Sequence, residues 1–337
     1  MLREEIGHRL RTRYIGYIVL GAVAISMPFI FNSAYLRDLL VIAVIFSIMA
    51  LGLNIIMGYM GQFSLGHQAF SGMAAYGTAM LTIRLGVNPW LGFVAGIALA
   101  AVFGLLVGYV ALRATRGVYL AIVTFGIGAI LFVVAKQAYG FTKGQTGLFP
   151  IPHLSLGRLV FDTEISFYYL ALVFLVFAVY SINRWLRSRF GRAVVAIREN
   201  EDLANSVGIQ SFRNYVLAFT IATALAGLGG SLYAYYVGVV NPVLFSVDYM
   251  VMMLVMVILG GAGVVGGPIL GSFIYVILLE LLPFKRELTL VVFGAILLAC
   301  IIFMPEGVYP RVMKLHSRIV TLIKEKELDT LWRGRDT

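Results

Sequence analysis

Three polar side chains stand among helix-breaking glycines in the apolar stretch GYMGQFSLGHQAFSGMAAYGTAM, residues 58–80. They are Gln62, Ser64 and His67, and the glycines beside them include Gly61 and Gly66. Amide, hydroxyl and imidazole groups can hydrogen-bond a polar solute, and irregular backbone persists at membrane depth only where protein or water satisfies it. The stretch therefore indicates either a broken helix that opens onto a pathway or a tight turn between two helices. No partner ligands stand at usable spacing from His67, so no metal site is predicted.

Two further polar residues, Asn54 and Thr124, lie deep in apolar sequence. Polar side chains within a membrane segment are costly to bury and often mark a transport pathway. A hydrogen bond between neighbouring helices explains such residues equally well. We therefore treat Asn54, Gln62, Ser64, His67 and Thr124 as candidate pathway residues, with helix packing or a turn as the alternative.

The long polar interruption of the apolar sequence is Arg184–Arg213. Its centre, IRENEDLANSVGI, predicts one short helix, because acidic residues in a first turn and a glycine just past the last turn suit the helix dipole and a left-handed cap. A polytopic membrane protein has little reason to build a helix outside the bilayer unless another molecule docks there. We expect these residues to form the docking element: Arg198, Glu199, Asn200, Glu201, Asp202, Ala204 and Gly208.

Several catalytic motifs are missing from the sequence. It contains no G-x-x-x-x-G-K-[ST] phosphate loop, no H-E-x-x-H and no G-x-S-x-G. It also lacks a cluster of intramembrane acids and histidines of the kind found in proton-driven pumps. The sequence thus indicates a passive pathway rather than an enzyme, with no cofactor of its own and with energy supplied from elsewhere.

These polar groups are set in a chain of 337 residues, of which 61% are hydrophobic and 12% charged. A spanning helix needs about 20 apolar residues, so stretches free of Asp, Glu, Lys and Arg indicate the spans. Leu39–Ile83 and Tyr249–Leu279 are each long enough for two spans. Six other stretches hold one span each: Tyr14–Leu36, Leu85–Leu112, Gly117–Ala135, Ile165–Asn183, Asn214–Val247 and Leu288–Pro305. We predict an all-α polytopic membrane protein of about ten transmembrane helices, some of them short or broken.

Basic residues are concentrated before the first span, after the fourth, within Arg184–Arg213 and in the C-terminal tail. With ten spans all four groups lie on one side, and the positive-inside rule places that side and both termini in the cytoplasm. The predicted organisation is a cytoplasmic N-terminus (1–13), a transmembrane domain (14–310) and a cytoplasmic tail (311–337), with a cytoplasmic loop at 187–212 and a periplasmic loop at 140–165. The net charge of +10 then reports orientation and contact with anionic lipids, not nucleic acid.

The N-terminal basic region and the apolar stretch after it resemble a signal peptide. The apolar stretch continues through Phe31 without an A-x-A site, so we expect an uncleaved first span at about Ile15–Phe31. The single cysteine, Cys300, lies within the last predicted span, which predicts neither a disulfide framework nor a thiol metal site.

A sequence pattern recurs at an offset of 200 residues. GQFSLGHQAFSG (61–72) aligns with GAGVVGGPILGS (261–272), so that Gly61 and Gly66 meet Gly261 and Gly266. Paired glycine-interrupted spans in two halves of a chain are typical of a transporter pathway. Chance alignment is the alternative, because the chain contains 36 glycines.

From about Leu39 to Pro310 the chain resembles the LivM-type permease subunit of branched-chain amino acid ABC importers, in the LivH/LivM family. The stretches that carry the resemblance occur in the expected order: GLNIIMGYMGQFSLGHQAFSGMAAY, LRATRGVYLAIVTFGIGAI, TGL at 146–148, GRAVVAIRENEDLANSVGI, LAGLGGSLYA and VILGGAGVVGGPILGSF.

The resemblance implies a permease of the bacterial inner (plasma) membrane that passes leucine, isoleucine and valine from a periplasmic amino-acid-binding protein to the cytoplasm. It implies a second, LivH-type permease and two cytoplasmic ATPases of the LivG/LivF type that bind ATP and magnesium. The docking element then looks like the coupling helix, whose family pattern is E-A-A-x-x-x-G. Here Asp202, Leu203 and Ala204 precede Gly208, so the glycine spacing holds while the Glu and the first Ala are replaced.

Other functions stay open from the sequence. Related permeases of the same class carry urea or short amides. An ion-coupled secondary transporter would need carboxylates near the middle of the membrane, and the long charge-free stretches argue against them. A channel or a structural membrane subunit would leave the helix within Arg184–Arg213 without a purpose.

Overall fold

The structure is a computed structural model of the chain and describes residues 21–30, 33–157, 159–281 and 286–315. The predicted N-terminal segment 1–13, the first part of the predicted first span and most of the predicted tail lie outside these residues. All helices, strands and contacts given below are those of these residues.

Helices make up nearly all of the regular structure. In chain order the α-helices are α1 (Gly21–Ile30), α2 (Ala34–Asn54), α3 (His67–Arg84), α4 (Pro89–Ala114), α5 (Val118–Gln137), α6 (Tyr139–Thr142), α7 (Glu164–Leu186), α8 (Arg189–Glu199), α9 (Glu201–Ser206), α10 (Ser211–Val237), α11 (Val247–Gly260), α12 (Gly266–Leu281), α13 (Arg286–Phe303) and α14 (Val308–Leu315). A π-helix, Ile55–Tyr59, continues α2, and short 3₁₀ helices cover Gly144–Thr146 and Pro242–Phe245. Two antiparallel strands of two residues each, β1 (Ser155–Leu156) and β2 (Leu159–Val160), form a hairpin in one loop.

The predicted all-α polytopic membrane fold is confirmed, and each of the ten predicted spans corresponds to a helix: α1 to α5, α7, and α10 to α13. Five of these are long and apolar enough to cross a membrane by themselves, namely α2 with its π-helix, α4, α5, α7 and α10. The bent pair α13 and α14, at 47°, adds a sixth within the described residues. The helices α1, α11 and α12 are shorter, and α3 is richer in polar side chains, so their full crossing stays a prediction.

The bundle is built around α2 and α10. In the most apolar 18-residue stretch of each helix, 89% of α2 (with its π-helix) and 78% of α10 is buried inside the protein. The same share for α5 is 28%. α10 packs along α2, α3 and α4, while α7 and α12 also pack against α2. Small residues allow these close approaches. If a Cβ were added to Gly104, as in alanine, it would lie 1.9 Å from the Thr223 hydroxyl oxygen, and one added to Gly230 would lie 2.1 Å from the Ser71 carbonyl oxygen.

Side-chain contacts identify the two ends of the bundle. At one end Arg84 donates hydrogen bonds to the carbonyl oxygens of Gly140 and Phe141, at 2.8 and 2.7 Å. At the other end of α4, Arg116 lies 3.8 Å from Glu201 of α9. The loop after α5 and the segment that holds α8 and α9 therefore lie at opposite ends of the bundle, and the assignment of 140–165 to the periplasm and 187–212 to the cytoplasm stays a prediction.

The loop between α5 and α7 is folded rather than open. Leu148 and Val240 exchange backbone hydrogen bonds of 2.9 and 3.1 Å, and the Ile151 amide donates to the Gly238 carbonyl at 3.0 Å. Gly238 ends α10 in the left-handed conformation, at φ 73°. The loop is thereby fastened to the chain between α10 and α11 and covers this end of the bundle.

Candidate transport pathway and coupling segment

The first glycine break joins α2 to α3. The helical chain ends at Tyr59, and Gly61 adopts φ 66°, a left-handed value that favours glycine. Residues 61–66 have no regular structure, and α3 begins at His67 with Gly66 as its N-cap. Irregular backbone thus lies directly beside a buried helix start.

A second glycine break joins α11 to α12. α11 ends at Gly260, Gly261 adopts φ 115°, and α12 begins at Gly266. Positions 61 and 261 are therefore both left-handed glycines after a helix, and a new helix starts at or just after positions 66 and 266. The sequence pattern that recurs at an offset of 200 residues corresponds to a repeated helix, break and helix.

The two breaks are in contact through Asn54. Its amide nitrogen donates to the Val264 carbonyl at 3.1 Å, and its amide oxygen accepts from the Gly263 amide at 2.8 Å. A Cβ on Gly58 would lie 2.2 Å from the Gly263 nitrogen, so the backbone before the first break packs directly against the backbone of the second. Asn54, a candidate pathway residue, here makes packing hydrogen bonds, as in its alternative interpretation, although its partners lie in the α11–α12 loop and not in a helix.

Arg198 of α8 contacts both breaks. Its guanidinium donates a hydrogen bond to the Gly58 carbonyl oxygen, and its aliphatic stem lies where a Cβ on Gly61 would stand, 2.8 Å from Arg198 Cγ. A Cβ on Gly263 would lie 3.4 Å from an Arg198 guanidinium nitrogen. Although much of the side chain is exposed, its charged head is directed into the bundle rather than toward a docking partner.

We name residues 187–212 the coupling segment; the structure divides it into two helices where the sequence predicts one. Asn200 is extended, at φ −159°, and its side chain accepts a hydrogen bond from the Leu203 amide at 2.9 Å. Asparagine is a favoured N-cap because its amide oxygen satisfies a free N–H of the first turn. Arg198 and Glu199 therefore close α8, and the short helix begins only at Glu201. The chain after it turns at Gly208, at φ 85°.

The expected docking residues do not all face outward. Ala204 is buried and Glu201 pairs with Arg116, whereas Glu199, Asn200, Asp202 and Gly208 are exposed. The most exposed apolar side chains of α9 and its end were missed by the prediction: Leu203 is 63% exposed and Val207 69%. Two apolar residues four positions apart in a polar segment were the available sequence signal.

A second set of contacts joins the coupling segment to the first break. The Arg116 guanidinium lies 5.3 Å from the centre of the Tyr215 ring, and the Tyr215 hydroxyl donates to the Met60 carbonyl at 3.3 Å. The Gly117 amide donates to the Gln62 side-chain oxygen at 2.7 Å. The turn between α4 and α5 (residues 115–117) is thereby held between Glu201 of α9 and Gln62 of the first break.

The remaining candidate pathway residues lie on different sides of the start of α3. Thr124 of α5 accepts a hydrogen bond from the Leu65 amide at 3.1 Å, which holds the irregular segment against α5. A Cβ on Gly52 would lie 2.8 Å from His67 Nε2, so His67 packs toward α2 and α10. Ser64 and His67 are buried, and their side chains have no hydrogen-bond partner among the described residues.

Comparison with known proteins places these features in one family. Residues 35–301 match the family described as "Branched-chain amino acid transport system / permease component". The chain is 32% identical over 316 residues to the high-affinity branched-chain amino acid transport system permease protein LivM of Escherichia coli K12, covering 87% of this chain and 74% of LivM. It is 28% identical over 287 residues to the LivH permease protein of the same organism, covering 79% of this chain and 91% of LivH.

A more distant likeness covers less of the chain. The guanosine ABC transporter permease protein NupQ of Bacillus subtilis 168 is 30% identical over 160 residues, which is 43% of this chain and 48% of NupQ. No solved structure matches the chain. The family match spans most of the sequence, and the chain is more than 30% identical to LivM over about three quarters of LivM's length. The chain therefore belongs to the permease component family of branched-chain amino acid transport systems.

Proposed function

We propose that this chain is a permease subunit of an ABC importer that passes leucine, isoleucine and valine across the bacterial inner membrane. The observation that carries the proposal is the coupling segment itself. It has an inward side, where Arg198 contacts the glycine breaks and Glu201 pairs with Arg116, next to the Gly117 amide that donates to Gln62. It also has an outward side with exposed apolar and acidic residues. A segment of this kind can transmit force from a docked partner to the membrane helices.

The proposed assembly contains four kinds of partner. A second, LivH-type permease completes the membrane part, and two ATPases of the LivG/LivF type bind ATP and magnesium in the cytoplasm. A periplasmic binding protein delivers the amino acid. Closure of the ATPases on ATP displaces α8 and α9, and the contacts of Arg198 and Arg116 pass that displacement to the breaks, which shifts the bundle between inward-open and outward-open states.

Branched-chain amino acids are preferred as the substrate because the relatives that match over most of the chain are named for their transport. The guanosine permease matches less than half of the chain. Among the described residues the candidate pathway side chains carry no carboxylate, which suits a neutral or zwitterionic solute and disfavours ion coupling. Urea or a short amide is the competing substrate class.

Co-purification tests the assembly. The chain is tagged, extracted from native membranes in a mild detergent, and its partners are identified by mass spectrometry. Recovery of two ATPase chains and a second permease supports the proposal. Recovery of this chain alone, or only as copies of itself, contradicts it and favours a secondary transporter or a channel.

A further inference from the structure

Besides Ser64 and His67 at the start of α3, three more polar side chains nearby have a buried atom without a hydrogen-bond partner among the described residues. They are Gln68, through its side-chain oxygen, and Tyr76 and Ser246, through their hydroxyls. Their exposed fractions are 3%, 5% and 8%. Buried polar groups in proteins are nearly always satisfied, so such atoms call for an explanation, and one explanation is a polar molecule that visits them.

Two of the three residues lie on the same helix face. Gln68, Gly72 and Tyr76 recur every four residues and lie on one face of α3, with Gln68 and Tyr76 about 12 Å apart along the helix axis. A Cβ on Gly128 of α5 would lie 3.2 Å from the Gln68 side-chain nitrogen, so this face is directed toward α5. His67 points elsewhere, toward α2 and α10.

An aromatic ring from the chain between α10 and α11 packs on this face of α3. Phe245, in the 3₁₀ helix Pro242–Phe245, stacks on the Tyr76 ring with centroids 5.7 Å apart and planes at 26°. A Cβ on Gly72 would lie 2.6 Å from the Phe245 ring, so the ring occupies the space that the glycine leaves open. Ser246 is the next residue. The Phe245 ring thus covers the face of α3 at Gly72 and Tyr76, one turn beyond Gln68.

We propose that Gln68, Tyr76 and Ser246 form a polar column through which the substrate passes this chain, and that Phe245 is the gate that closes it. The column contains no charged side chain, so it suits a zwitterion. Its amide and hydroxyls can hydrogen-bond the ammonium and carboxylate groups, and the Phe245 and Tyr76 rings offer apolar surface to a branched side chain. This inference rests on the proposed function and names the residues that handle its substrate.

The wall that would open is α5. It is the least buried of the five long membrane helices, and it is joined to the first break by the Gln62–Gly117 and Thr124–Leu65 hydrogen bonds. Movement that reaches the break from the coupling segment is therefore passed to the helix that faces Gln68. Opening of the column and the ATPase cycle are linked by this route.

Cysteine labelling of the whole importer tests the column. The only native cysteine, Cys300, is first replaced by serine, and Ser246→Cys is compared with Ser272→Cys. Ser272 is a matched control because it is fully buried and its hydroxyl donates to the Pro268 carbonyl at 2.8 Å. A small membrane-impermeant methanethiosulfonate reagent is applied from the periplasmic side during ATP turnover, with and without L-leucine.

The expected result is labelling of the Ser246→Cys importer at least tenfold faster than of the Ser272→Cys importer, slowed several-fold by L-leucine. Equal rates, or a rate that L-leucine leaves unchanged, would overturn the column. If Ser246→Cys does not assemble, Tyr76→Phe provides a second test, because it removes only a hydroxyl. A several-fold rise in the KM for leucine uptake supports the column, and an unchanged KM contradicts it. Wild-type importer that hydrolyses ATP without taking up leucine would instead contradict the proposed function.

Discussion

The guanidinium of Arg198 donates a hydrogen bond to the carbonyl oxygen of Gly58, joining α8 outside the membrane bundle to the π-helix that ends α2. Gly58 in turn lies against Gly263, and Asn54 bonds the same loop. One side chain of the coupling segment therefore contacts a site where both helix breaks meet. On the proposed function, a displacement of α8 reaches both halves of the repeat through this one side chain.

Replacement of Arg198 should separate ATP hydrolysis from transport. A hydrogen bond from a charged group contributes about 1.5–3 kcal/mol, and partial exposure reduces that figure, so we expect Arg198→Ala to lower leucine uptake per ATP hydrolysed by about tenfold. The measurement is uptake and ATPase activity in the same proteoliposomes. Arg192→Ala is the control, since its hydrogen bond stays within the coupling segment, on the Arg187 carbonyl. Equal coupling in both variants would rule out this transmission role.

The exposed apolar pair Leu203 and Val207, in α9 and at its C-cap, should hold the ATPase. Burial of exposed apolar side chains contributes about 25 cal/mol per Å², and carboxylates in their place prevent it. We expect Leu203→Asp with Val207→Asp to release the ATPase subunits during purification while membrane insertion is preserved. Leu156→Asp, at a residue 61% exposed on the β-hairpin at the other end, is the control and should leave the complex intact. Retention of the ATPases by the double variant would place the docking surface elsewhere.

Asn54 should contribute strongly to stability. Its side chain makes two hydrogen bonds to the Gly263–Val264 backbone and is 1% exposed, so Asn54→Ala leaves a buried donor and acceptor without partners. We expect a loss of about 2–4 kcal/mol in the free energy of unfolding, seen as a lower melting temperature in detergent. The control, Asn214→Ala, removes an exposed side chain that bonds only the Gln210 carbonyl of the preceding turn. Similar melting temperatures for the two variants would show that the contact between the breaks is weak.

The close packing of α11 on α12 should be sensitive to a single methyl group. A Cβ on Gly271 would lie 1.9 Å from the Met256 carbonyl oxygen, which is backbone and cannot rotate away. We expect Gly271→Ala to destabilise the fold by about 1–3 kcal/mol through overpacking. Gly126→Ala on α5, where a Cβ would meet nothing within 4 Å, should melt no lower than wild type. Thermal melts of the two purified variants give the comparison, and a stable Gly271→Ala protein would contradict the packing.

The helices were predictable because charge-free length and glycine position depend on local sequence. Gly61 and Gly261 marked the breaks because a left-handed turn after a helix favours glycine. The contact between Asn54 and Gly263 was not predictable, since it joins residues 209 positions apart and depends on how α2 packs against the α11–α12 loop. The sequence likewise could not show whether Thr124 lines a pathway or, as in the structure, accepts a hydrogen bond from the Leu65 amide, because Leu65 lies in the first break and Thr124 in α5, 59 positions apart.

The coupling segment shows where local reasoning was incomplete. The acidic residues and Gly208 predict a single helix that includes Asn200, although asparagine favours caps over helix interiors. The inward direction of Arg198 depends on the position of α8 against the end of α2, which no local pattern contains. Exposure of Leu203 and Val207 likewise becomes evident only when Ala204 is seen to be the buried residue of α9.

Reconstituted transport tests the central claim most directly. The purified importer, with its ATPases and second permease, is placed in proteoliposomes with its binding protein on one side and ATP on the other, and uptake of radiolabelled leucine is followed. We predict ATP-dependent accumulation against a gradient, with ATP hydrolysis stimulated by loaded binding protein. Accumulation that proceeds without ATP and follows an ion gradient, or no transport of leucine in a complex that hydrolyses ATP, would contradict the assignment.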